Sequence, residues 1–171
     1  MNQKTKEITL VALMIALSVL GANIKLLGSI ALDSFPAFIS TIILGPGVGI
    51  LVAFFGHMVS AMLSGFPNTL PIHLMIATLM MVCVFVYGFI RRKYNKYPVL
   101  SKIISIVVAF IINVPLDLLL LYPFLGDVVF VLFVPLTIAT LANLFLTEVV
   151  YACLPSKIKN YSKIQQDMKG H

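Results

Sequence analysis

The chain has 171 residues, is 60% hydrophobic and only 11% charged, and carries a formal net charge of +6; its mean hydropathy is +1.06. A soluble domain is about half apolar and about a quarter charged, whereas here residues 8–90 hold only Lys25 and Asp33 as formal charges and residues 103–154 only Asp117, Asp127 and Glu148. A soluble enzyme, a nucleic-acid-binding domain and any sizeable extramembrane domain are thereby excluded, and the chain reads as an integral membrane protein.

A hydrocarbon core of about 30 Å takes about 20 apolar residues per helical span, so the length suits six spans with short connections. The first is expected over residues 8–24. It is followed by a more polar segment, 25–34, at the far surface. Residues 35–44 form a short second span, ended by the turn Gly45-Pro46-Gly47. The third runs over 48–64. The stretch from Gly65 to Pro71, with two prolines bracketing Asn68, is a loop. The fourth span, 72–90, stops at Arg91-Arg92-Lys93. After a basic connection come a fifth span over 103–122, broken by Pro115, and a sixth over 128–154 that contains Pro135. Proline is tolerated in membrane helices where neighbours satisfy the freed carbonyl, and it often marks a bend. The expectation is an all-α six-helix bundle forming one integral membrane domain over 1–171, without repeat or linker.

Eleven of the 12 basic residues fall in three places: Lys4 and Lys6; Arg91, Arg92, Lys93, Lys96 and Lys102; and Lys157, Lys159, Lys163 and Lys169. An even number of crossings brings all three to one side, which the positive-inside bias makes the cytoplasm, with both termini there. Basic loops meeting anionic headgroups account for the net charge without a nucleic-acid partner. Cys83 and Cys153 sit in apolar runs without CxxC spacing and read as packed residues. The first apolar stretch lacks a small-x-small cleavage site and is not expected to be a signal peptide.

A handful of polar residues interrupts this apolar chain. Ala12 and Ala16, followed by Ser18 and Gly21, form a small-residue face of the kind that lets helices approach closely in lipid; it packs within its own bundle or docks another subunit. His57, Ser60 and Ser64 share one helix face. An imidazole at that depth must bond within the bundle or line a wet cavity, so an interhelix bond and a ligand contact both fit. A metal site is disfavoured, since no His-x-x-x-His or Cys/His cluster exists. His73 opens the fourth helix beside Phe66, Asn68 and Thr69, as an interfacial residue or as part of a rim above a pocket. Asn113 and Asp117 are i, i+4. An aspartate at mid-span costs about 2.5–3.5 kcal/mol on insertion scales, so Asp117 is paired, with Lys25 or His73 as the available cations, or faces a ligand. Asp33 and Asp127 near outer helix ends are expected to be solvated. Asn143 and Glu148 fall in the inner half of the sixth helix, Glu148 meeting cytoplasmic lysines or a partner subunit.

The nucleophile-elbow, P-loop and zinc-protease motifs are all absent. The competing class is an intramembrane enzyme using Asp117 and His57. Without an ATP-binding module or an inverted repeat, a binding subunit that borrows its motor is the simplest reading.

The chain resembles the substrate-binding (S) component of energy-coupling factor (ECF) vitamin transporters. The resemblance is carried by Ala12-x-x-x-Ala16, by Leu32-Asp33-Ser34-Phe35-Pro36-Ala37-Phe38, by Leu44-Gly45-Pro46-Gly47-Val48-Gly49, and by Gly56-His57, Gly65-Phe66-Pro67 and Pro71-Ile72-His73. It implies a multi-pass protein of a prokaryotic plasma membrane, not an enzyme and without a cofactor or resident metal. Its partners would be a membrane-embedded T component and two ATPase subunits, besides membrane lipid. Ala12 and Ala16 would dock the T component. An outward pocket would be closed by the loops after the first, third and fifth helices, and transport would involve toppling of the S component. Binding roles pass to Asp33, Phe35, His57, Phe66, Asn68, His73, Asn113 and Asp117. The chain lacks the Met-His start of nickel and cobalt members and the tryptophan expected of a thiamine site. Its motifs most resemble the members assigned to α-ribazole, a cobalamin precursor, with Phe35 or Phe66 available to stack the base. A hydroxymethylpyrimidine, a pyridoxine-like compound and pantothenate are the alternatives.

Overall fold

A computed structural model describes residues 3–23, 25–26, 30–67 and 69–159. Helix α1 covers Gln3–Asn23, and a two-residue antiparallel ladder follows, with β1 (Lys25–Leu26) against β2 (Ile30–Ala31). Then come α2 (Phe35–Ile43), α3 (Pro46–Leu63), α4 (Leu70–Lys93), α5 (Pro98–Ile111), α6 (Asp117–Leu125), α7 (Val128–Cys153) and the single turn α8 (Ser156–Lys159). Proline opens α2, α3, α4 and α5 in the first helical turn, where its missing N–H costs nothing. Helix α4 ends on Arg91, Arg92 and Lys93, a placement the helix dipole favours.

Among the described residues, five helical segments are long and apolar enough to cross a membrane: Thr5–Asn23, Pro46–Leu63, Leu70–Lys93, Pro98–Leu125 and Val128–Cys153. The expected second span, 35–44, is the nine-residue α2, which at about 1.5 Å per residue reaches only about 14 Å. The residues before it turn back into the bundle. Leu32 N–H donates to Gly21 O at 3.1 Å, so close that a side chain on Gly21 would collide with the Leu32 carbonyl.

Helix α2 sits at the centre. Its Phe38 is fully buried with Val52, Cys83, Val84, Tyr87, Ala109 and Leu144, and meets Tyr87 edge to face at a centroid distance of 5.0 Å. Thr41 on α2 fits between Gly49 of α3 and Gly88 of α4, where a Cβ on either glycine would meet it. Those two glycines allow three backbones to approach without a hydrophobic drive between them. The outer surface is apolar instead: Phe130, Val131 and Phe145 are each about 70% exposed, as expected where lipid is the solvent.

Pro115 interrupts the fifth span as the sequence suggests. Lacking an N–H and crowding the preceding carbonyl, it is accommodated by a π-helical turn over Ile112–Leu116 that joins α5 to α6. Such turns recur at functional sites.

Candidate functional site

A cavity of about 360 Å³ opens in the half of the bundle away from Arg91–Lys93, between α2, α3, α4, the π-helical turn, α6 and α7. Its polar wall is Asp33, Ser34, His57, Asn113, Asp117, Thr140 and Asn143, and its apolar wall includes Phe38, Met80, Pro135 and Leu136. The volume lies at the lower end of the roughly 300–1,000 Å³ range of ligand sites, and mostly apolar walls with a few convergent polar groups are their usual chemistry.

The π-helical turn supplies two of these groups. Asn113 is 8% and Asp117 is 5% exposed. Asn113 Nδ2 donates to Thr140 Oγ1 at 2.8 Å, which ties the turn to α7. Asp117 Oδ1 is buried and has no hydrogen-bond partner among the described residues. A buried polar atom without a partner costs about 1–3 kcal/mol.

Asn143 holds the start of α2. Its Oδ1 accepts from the backbone N–H groups of Ser34 at 3.0 Å and Phe35 at 2.9 Å, while its Nδ2 donates to Ala139 O. This brings Asp33 and Ser34 to the cavity. Asp33, half-buried, therefore lines the cavity, and its Oδ1 accepts from Ser34 Oγ at 2.9 Å.

On the α3–α4 side, His57 Nε2 and His73 Nδ1 are 3.2 Å apart and share one hydrogen. Phe66 packs against His73 at a centroid distance of 5.8 Å. His73 is buried and its Nε2 has no partner among the described residues. The loop above carries positive φ at Phe66 (49°) and Thr69 (73°), strained backbone for side-chain-bearing residues and most of all for a β-branched threonine.

Asp33, His57, Asn113 and Asp117 thus converge on one cavity. Phe35, Phe66 and His73 stand outside its lining: Phe35 contributes a backbone N–H to Asn143, and Phe66 and His73 buttress His57. Asn68 lies outside the described residues. The aromatic ring on the wall is Phe38. Sequence reasoning missed Ser34, Phe38, Thr140 and Asn143 as wall residues, although Thr140, Asn143 and Thr147 repeat the i, i+3, i+7 spacing that singled out His57. Of the two cations expected near Asp117, His73 bonds His57, and the side chain of Lys25 lies outside the described ones.

Glu148 meets the basic side chains as expected. Its Oε1 accepts from Tyr87 Oη at 2.7 Å and pairs with Arg91 at 3.3 Å, and its Oε2 pairs with Lys102 at 3.3 Å. Ala12 and Ala16 are exposed on α1 in a stripe with Ile8 and Leu20 at i, i+4 spacing. Helix α1 is the least covered of the five long segments, with 11% of its window buried against 22–39% in the others. Among the described residues no group of three or more histidine, cysteine, aspartate or glutamate side chains is placed to hold a metal.

The fold is that of a multi-pass helical membrane bundle with a solute-sized cavity. The chain matches the family model of the ECF transporter substrate-specific component over residues 6–155, and it belongs to that family. Members of the family are transport subunits, not enzymes, and work with a T component and ATPase subunits. No curated protein and no solved structure matches the chain.

Proposed function

We propose that the cavity captures a small water-soluble vitamin or vitamin precursor from outside the cell, with α-ribazole as the best candidate, and that the chain delivers it through its T and ATPase partners in a prokaryotic plasma membrane. The supporting observation is Asp117 Oδ1, buried and unpartnered on a 360 Å³ cavity. Asp33, His57 and Asn113 stand on the same wall. The base of an aromatic solute would pack on Phe38, and ribose hydroxyls would donate to Asp117 and Asn113. His73 and Phe66 position His57, and Phe35 acts through its backbone. Asn68 belongs to the rim by its place in the sequence. The open stripe of Ala12 and Ala16 is the surface for the T component.

Six crossings fit this reading. In this reading the second crossing is made by α2, nine residues long, together with the segment that leads into it. A half-helix whose start faces a cavity is how many transporters build a mid-membrane site. The basic residues then share the cytoplasmic side with both tails.

The test is a thermal-shift panel on the purified chain with α-ribazole, a hydroxymethylpyrimidine, pyridoxine and pantothenate. One of them is expected to raise the melting temperature in the parent protein and not in Asp117→Ala. Stabilisation by none of the four would refute this set of substrates, and an equal shift in Asp117→Ala would remove that residue from the site. Reporter fusions at both tails should read cytoplasmic.

A further inference from the structure

Given the cavity as the solute site, we infer that it accepts an uncharged or cationic solute rich in hydrogen-bond donors and turns away phosphorylated and carboxylated analogues. Among the described residues neither lysine nor arginine lines it, whereas two carboxyl side chains, Asp33 and Asp117, do. Arg91 and Lys102 are committed to Glu148 toward the other end of the bundle. His57 is the imidazole on the wall, and its Nε2 already shares a hydrogen with His73 Nδ1. A charge there would face a second imidazole on one side and Asp33 on the other.

A helix start is the other device that holds buried anions. Here the first N–H groups at α2, those of Ser34 and Phe35, both end on Asn143 Oδ1. The side-chain oxygen occupies the place an anion would take. An anionic solute would give up its water with no lysine or arginine of the described wall to replace it, a situation proteins avoid by pairing buried charge.

What the wall offers instead is acceptors. Asp117 Oδ1 is unpartnered. Asn113 spends an amide N–H on Thr140, which leaves its carbonyl oxygen for the solute. Hydroxyl, amino or protonated amine groups are the complement.

The experiment is calorimetric titration of the purified full chain with matched pairs: α-ribazole and its 5′-phosphate, pyridoxine and its 5′-phosphate, pantothenol and pantothenate. The best binder should be an uncharged or cationic member, with its anionic counterpart weaker by about 100-fold or more. Asp117→Asn should weaken that binder by about tenfold without making the anion the tighter of the two. An anionic member that binds as tightly as its counterpart, and is lost in Thr140→Phe, would overturn the inference while leaving the cavity as the solute site. Failure of every member to bind would overturn the solute site and the inference together.

Discussion

Two buried acids, Asp117 and Glu148, are 5% and 7% exposed, yet the two regions around them are built in opposite ways. Around Glu148 every oxygen is engaged, by Tyr87, Arg91 and Lys102 from α4 and α5. Around Asp117, which lines a 360 Å³ cavity, one oxygen is buried without a partner among the described residues. The same contrast runs through the packing. Thr41 is wedged between Gly49 and Gly88 and Phe38 meets Tyr87 in a filled core, whereas the walls near Asp117 leave space. A closed polar network of this kind holds helices together, and the proposed solute site is the region without one.

The largest expected effect tests the closed region. Glu148→Ala leaves Arg91 and Tyr87 buried without their carboxylate, and loss of one partner of a buried pair costs about 3–5 kcal/mol. Thermal unfolding in detergent without ligand should show it. If stability is unchanged and only solute binding falls, the contrast with Asp117 fails.

Asp117→Ala is predicted to do the reverse. Binding should weaken by about 1.5–3 kcal/mol, the range for hydrogen bonds to charged groups, read by calorimetry. The melting temperature of the ligand-free protein should hold or rise, because the unpartnered carboxyl is gone. A large loss of ligand-free stability would mean that Asp117 is structural.

Gly88→Ala sharpens the packing side, since its methyl would press on Thr41. Overpacking of this kind costs about 1–3 kcal/mol, and Gly88→Ala with Thr41→Ser should recover part of it. The smallest stability effect belongs to α1. Ala12→Leu and Ala16→Leu are exposed changes, expected to move stability within about ±0.5 kcal/mol and to leave solute binding intact, while uptake in cells is lost. Equal loss of uptake and of binding would place the stripe inside the working bundle instead of at a partner surface.

Much of this architecture was legible beforehand. Long uncharged runs can only be membrane helices, and the ends of the five long ones fall near Gly, Pro and basic clusters because those residues stop or cap a helix. Pro115 announced an interruption, and Asn113 with Asp117 were readable as a pair since their polarity has no other use in lipid. Asp33 was open to two readings, solvated at a helix end or part of the site. It looks like a residue of an outer connection until Leu32 docks on Gly21 and Asn143 draws the start of α2 inward. The second span was read at nearly its observed length, 35–44 against Phe35–Ile43, and its shortness was visible in the Gly45-Pro46-Gly47 turn that ends it.

Composition and the spacing of charges were enough, by themselves, to establish a membrane-embedded helical chain. The reason is that lipid penalises every uncovered polar group, so hydropathy reads directly as position. Which acids are satisfied and which are left open depended on the tertiary structure. Tyr87, Arg91 and Glu148, like Asp33, Asn113 and Asn143, come from segments far apart in the chain, and a hydrogen bond exists only when packing brings donor and acceptor to within about 3 Å.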